Sequence, residues 1–106
     1  EVLMLGLGPD GHVASLFPGH PALDVDDAIA VGITDSPKPP PERITLTFGA
    51  LEHARSVWVI ASGDGKAEAV AAALAPEGSV HDTPARGVGG HVDTVYFLDR
   101  AAASAL

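Results

Sequence analysis

An α/β fold with a largely parallel sheet is predicted by three features of this sequence. Apolar runs without helical periodicity recur along it, at Val2–Leu7, Ser56–Ala61 and Thr94–Leu98. A strongly helix-prone segment, Lys66–Leu74, lies between the last two. The first run ends in glycine-rich turn chemistry of the kind that closes a strand at a ligand site. Strands alternating with helices imply crossover connections, and so parallel pairing.

The elements follow in order. Val2–Leu7 is apolar throughout and is expected to be a strand buried on both faces. Pro9-Asp10-Gly11 is a turn. His12–Phe17 is expected to form a helical turn or two, stopped by Pro18 and Gly19, and Pro21–Leu23 one more. Ala28–Ile33, rich in β-branched residues, is a second strand. Pro37, Pro39, Pro40 and Pro41 exclude regular structure from Thr34–Glu42 and predict a stiff, polyproline-like path that carries Lys38 and leads to Arg43. Arg43–Phe48 alternates as a half-exposed strand does, with a helix able to begin at Thr47. Ser56–Ala61 is the clearest buried strand, Ser62–Gly65 its exit loop, and Lys66–Leu74 a helix stopped by Pro76 and Gly78. Gly78–Val92 reads as a loop with little apolar content. Thr94–Leu98 is the last strand, and Asp99 an N-cap for a short helix over Arg100–Leu106.

With 106 residues, 46% of them hydrophobic, the chain can build one domain or part of one. Six basic against fourteen acidic side chains give a formal net charge of -8, which argues against nucleic acid or an anionic membrane as the main partner. A small anionic substrate remains compatible, since a few cations in a cleft dominate locally. There is no cysteine, hence no disulfide and no thiolate metal site. The histidines at 12, 20, 53, 81 and 91 form no H-x-x-x-H pair, so no metal is expected. No apolar run approaches the ~20 residues of a membrane helix, and a cytoplasmic location is the expectation. An apolar strand at the very start suggests a central strand whose preceding elements belong to a longer chain.

Gly6-Leu7-Gly8-Pro9-Asp10-Gly11 matches the dinucleotide pattern G-x-G-x-x-G, and Asp35 follows the next strand at a suitable distance. That reading needs a full helix after the third glycine to aim its N-terminus at a pyrophosphate, and Pro18 cuts the helix short. His12 is the stronger lead. It follows a glycine turn at the C-terminal end of a strand, where α/β sheets bind ligands, and its chemistry suits a general base. On the residues alone it reads equally as a histidine filling a turn, and Asp10 either orients it or makes an Asx turn. Ser15 lacks the G-x-S-x-G elbow of a nucleophile. Lys38 and Arg43, close together around rigid prolines, suggest an anion-binding wall if they are not simply solvated. Lys66 lies near a helix start, where a phosphate would offset its charge.

Gly6–Leu23, the stretch Ser36-Pro37-Lys38-Pro39-Pro40-Pro41-Glu42-Arg43-Ile44-Thr45-Leu46-Thr47, and Gly63-Asp64-Gly65-Lys66 together resemble the 6-phosphogluconolactonase family. The resemblance implies a Rossmann-like fold related to glucosamine-6-phosphate deaminase and ribose-5-phosphate isomerase. It implies hydrolysis of 6-phospho-D-glucono-1,5-lactone, a small-molecule phosphosugar lactone, with no cofactor and no metal. By position His12 would activate water with Asp10 beside it. Gly8, Gly11, Lys38, Arg43 and Lys66 would bind substrate and phosphate. Backbone N–H groups of the Gly8–His12 turn are the expected donors to the oxyanion. The family's chains are longer, so residues 1–106 are expected to be the C-terminal portion of a single such domain, incomplete as it stands. A deaminase on the same fold carries an acid soon after the histidine, where Ser15-Leu16-Phe17-Pro18 stands here. That enzyme, or a non-catalytic sugar-phosphate-binding module, is the alternative.

Overall fold

The central strand of the main sheet is the one with the strongest β signal. A computed structural model describes residues Glu1–Leu106. Its strands are β1 (Val2–Gly6), β2 (Ala30–Ile33), β3 (Arg43–Leu46), β4 (Ser56–Ala61) and β5 (Asp93–Leu98). The helices are α1 (Phe48–Leu51) and α2 (Ala67–Leu74). The main sheet runs β1-β4-β5 and is parallel throughout, with Val2 opposite Ser56, Gly6 opposite Ile60, and Ala61 opposite Leu98. All three strands therefore end on one edge, where Leu7, Gly8 and Ser62 emerge together.

The chain departs from a single parallel sheet at β2 and β3. These pair antiparallel with each other, Ala30 opposite Leu46 and Ile33 opposite Arg43, and form a separate ribbon. The proline segment 34–42 is the loop of this ribbon. It does not run straight as a polyproline helix: the Ser36 N–H donates to the Pro41 carbonyl at 3.0 Å, closing the segment on itself, and the Pro39–Pro40 peptide is cis. No helix follows Gly11 and the next strand lies outside the sheet of β1, so the dinucleotide arrangement is absent.

Alternation in β4 sets the core. Val57, Val59 and Ala61 are buried with Leu5, Leu7, Val13, Ala69 and Val70, while Ile60 on the other face is 48% exposed. β1 does the same: Leu5 is buried and Met4 is 63% exposed. Within residues 1–106 the expected burial is met on one face, where α2 and residues 83–85 pack. A second cluster of Leu16, Ala22, Leu23, Ile33 and Leu51 fills the space beneath the ribbon.

Two expected helices do not form. His12–Phe17 is a chain of turns with a Val13–Leu16 bridge. A helix there requires the Leu16 N–H to reach the His12 carbonyl. That carbonyl instead accepts from the Gly8 N–H at 2.9 Å, Leu16 donates to Val13 at 3.0 Å, and Ala14 sits at φ 50. Arg100–Ser104 also makes turns rather than a helix, although Asp99 does cap them, its Oδ1 accepting the Ala102 N–H at 2.8 Å. Pro21–Asp24 forms the expected extra turn, as a 3-10 helix. No helix is long and apolar enough to cross a membrane.

The segment 78–92 carries more structure than its composition suggested. Pro84–Gly87 is a 3-10 helix with Pro84 and Ala85 buried, and the Ala85 N–H donates to the Gly11 carbonyl at 3.0 Å. Arg86 Nη1 donates to the carbonyls of Ala72 and Ala75 at 2.7 and 2.8 Å, closing the open C-terminus of α2. Arg86→Ala is expected to cost about 1–3 kcal/mol, because two end carbonyls lose a charged donor. Urea denaturation measures it, and an unchanged midpoint would show that water replaces the guanidinium.

Candidate functional site: a histidine–carboxylate pair at the sheet edge

The turn after β1 is built to hold one imidazole. Gly8 and His12 close it: the Gly8 N–H donates to the His12 carbonyl and the Gly11 N–H to the Gly8 carbonyl, both at 2.9 Å. Within the loop, Asp10 Oδ1 accepts from the His12 N–H at 3.1 Å and lies 2.5 Å from His12 Nδ1. The ring lies over Gly8, where an added Cβ would come within 2.1 Å of Cε1 and Nδ1. Phe17 packs on the ring with centroids 4.8 Å apart. Gly11 takes φ 87, which favours glycine, and faces Thr83 rather than the ligand side.

Electrostatics fix the tautomer. Burial alone would raise the Asp10 pKa, but the hydrogen bonds from the His12 ring and N–H, with the histidine's charge, outweigh it and hold the carboxyl below its usual value. An ionised carboxylate only accepts, so in the neutral ring Nδ1 carries the proton and Nε2 keeps a lone pair. A carboxylate so lowered stabilises the fold above its unfolded pKa and loses that contribution as pH falls through its folded value. The pair is therefore undone only on the acid side of the Asp value of 3.8.

His12 faces a cleft of about 740 Å³ that runs along the strand ends. Gly8, Ala14, Lys38, Ser62 and Lys66 line it, together with the stretch from Leu5 to Pro9. Lys66, at the start of the segment leading into α2, donates from Nζ to the Leu7 carbonyl. Lys38 reaches the cleft from the opposite wall on the proline loop. Its backbone is held by Ser36 Oγ, which accepts the Lys38 N–H at 3.2 Å and donates to the Lys38 carbonyl at 2.7 Å.

Of the expected residues, Gly8, His12, Lys38 and Lys66 come together at the cleft, and Asp10 meets it only through its contact with His12. Gly11 lies behind the turn. Arg43 does not line the cleft. Its guanidinium lies 5.4 Å over Phe17 and donates to the carbonyls of Lys38, Pro39 and Pro40 at 3.2, 2.9 and 3.1 Å. The expected oxyanion donors are also altered: the N–H groups of Gly8, Gly11 and His12 are all engaged inside the turn. Three contributors were not anticipated. Ser62 enters from the end of β4, a position the strand reading made recoverable. Phe17 and the buried Thr45, whose Oγ1 accepts the Ser15 N–H at 3.0 Å, depend on long-range packing.

The parallel sheet, the glycine turn and the paired imidazole define an α/β protein with a histidine–carboxylate pair at the carboxyl edge of its strands, in a cleft shared with Lys38 and Lys66. Residues 1–97 match the family described as "Glucosamine-6-phosphate isomerases/6-phosphogluconolactonase". The chain belongs to that family. It is 51% identical over 106 residues to a 6-phosphogluconolactonase of Streptomyces coelicolor, covering 100% of this chain and 40% of that one. A 6-phosphogluconolactonase of Mycobacterium tuberculosis is 49% identical, with 100% and 42% covered. A crystal structure of 6-phosphogluconolactonase from Leishmania guyanensis superposes with a TM-score of 0.83 at 28% identity, covering 96% of this chain and 40% of that one. The chain thus spans well under half the length of the relatives it matches.

Proposed function

We propose that a protein containing this chain hydrolyses 6-phospho-D-glucono-1,5-lactone to 6-phosphogluconate, the lactone-opening step of the oxidative pentose phosphate pathway. In that protein residues 1–106 form the C-terminal portion of one domain. The observation that carries the reading is the Asp10–His12 pair, 2.5 Å apart, opening on a cleft shared with Lys38 and Lys66.

The chemistry follows from that arrangement. His12 Nε2 takes a proton from water as the water oxygen bonds to the lactone carbonyl carbon. The imidazolium formed is stabilised by the Asp10 carboxylate through Nδ1–H. As the tetrahedral intermediate collapses, the bond from that carbon to the ring oxygen breaks and the imidazolium returns its proton to the departing hydroxyl. An activated ester needs no covalent nucleophile, in keeping with a site that offers an imidazole and no serine elbow. Lys38 and Lys66 hold the phosphate, and so place the carbonyl beside the water. Arg43 serves the same wall by holding the carbonyls around Lys38. A deaminase-type proton shuttle is not favoured: Ser15-Leu16-Phe17-Pro18 stands where that enzyme carries its acid, and none of the four is acidic.

Lactone consumption by the intact protein tests the reading. Lys66→Ala is expected to raise KM for the phosphorylated lactone about tenfold or more, since a charged hydrogen bond to phosphate is lost. Hydrolysis of unphosphorylated glucono-1,5-lactone should not change. An equal effect on both lactones would remove Lys66 from the phosphate site, and no lactone turnover by the wild type would remove the function.

A further inference from the structure

The base and one cation of the cleft stand on different segments, and the ties between those segments lie outside the cleft. One tie is central to the motif yet has no part in the chemistry above. His20 ends the glycine-histidine stretch, and its side chain is only 17% exposed. Its Nδ1 accepts the Ala22 N–H at 3.0 Å as the cap of the 3-10 helix Pro21–Asp24. That bond requires a lone pair on Nδ1, which places the proton of the neutral ring on Nε2. Nε2 is 2.8 Å from Asp35 Oδ1. The cap thus orients the ring and sets its tautomer before Asp35 is engaged, so the donor is preorganised.

Asp35 opens the proline loop three residues before Lys38. Its side chain is 72% exposed, with His20 as its hydrogen-bond partner. Between them Ser36 grips Lys38 through both its N–H and its carbonyl. Whatever fixes Asp35 therefore fixes the backbone of Lys38 from the N-terminal side, as Arg43 does from the C-terminal side. We propose that His20 and Asp35 are positioning residues: their hydrogen bond pins the proline loop to the base-bearing segment, so that Lys38 is held across the cleft from His12 and meets the anionic end of the substrate at low entropic cost.

This rests on the lactonase reading, and Asp35 is the residue to test because its exposure leaves the core intact. In the intact protein, Asp35→Ala is expected to raise KM for 6-phosphogluconolactone about threefold to tenfold with kcat unchanged. Asp35→Asn keeps an acceptor for Nε2–H and should restore the wild-type KM. In a Lys38→Ala background, Asp35→Ala should add nothing, since the effect passes through Lys38. An unchanged KM in Asp35→Ala, an Asp35→Asn variant as impaired as the alanine, or an effect that persists without Lys38 each overturns the proposal. If Asp35 merely repels the substrate's charge, both variants lower KM, which also overturns it. Absence of lactone turnover in the wild type is a different failure, that of the function. The same variants then decide the positioning role through their affinity for inorganic phosphate, with loss in Asp35→Ala, recovery in Asp35→Asn, and no further loss when Lys38 is already alanine.

Discussion

His12→Ala is expected to lower kcat for lactone hydrolysis by about 100- to 10,000-fold, the range for loss of a positioned general base. The ring is the group whose geometry is most fully specified in the cleft. Its Nδ1 faces a carboxylate at 2.5 Å, its face packs on Phe17 at 4.8 Å, and its backbone closes the turn through Gly8. The backbone bonds survive the substitution, so the turn should persist and KM should change little. Rates must be read above spontaneous lactone opening, with far-ultraviolet circular dichroism confirming the fold. Asp10→Asn should also reduce kcat, because the amide no longer stabilises the imidazolium or holds the ring in one tautomer. A His12→Ala protein that turns over the lactone at the wild-type rate would remove the base from the mechanism altogether.

Gly8→Ala is expected to be nearly as damaging without removing a reacting group. The new Cβ would lie 2.1 Å from His12 Cε1 and Nδ1 and 2.8 Å from Asp10 Oδ1, so the imidazole and the carboxylate must both move. Displacement of a catalytic group by about 1 Å can cost about 100-fold in rate, and that is the expected loss in kcat. The clash is with side chains, which swing aside more readily than backbone, so stability should fall by less than activity. Imidazole proton shifts by NMR, together with kcat, separate the two effects. Wild-type kcat in Gly8→Ala would mean that catalysis does not use the ring position over Gly8.

These two effects differ in how visible their causes are in the sequence. The spacing Gly8, Asp10, Gly11, His12 is local, and a tight turn brings such close neighbours together whatever lies around them. The histidine, its carboxylate and the strand before them were therefore legible. So were β4, β5 and α2, whose residue types agree with their surroundings. The ring's seat on Gly8 was not, because it depends on a rotamer chosen by packing against Phe17.

Where the chain left its local preference, a distant partner was responsible. His12–Phe17 has a helical composition, yet the Ser15 N–H is held by Thr45 Oγ1, a residue 30 positions away. Arg43 and Lys38 looked alike in sequence, as two cations around prolines. In the structure Lys38 lines the cleft while Arg43 turns to the carbonyls of its own loop. The loop 78–92 looked featureless because its structure comes from single contacts to α2 and to Gly11, not from a repeating pattern. By itself, then, the sequence determined the strands, the principal helix, the glycine turn and the histidine beside its carboxylate, since each follows from residues within a few positions of one another. Only the tertiary structure decided which sheet face is buried and which cation meets the cleft, since those depend on groups brought together from far along the chain.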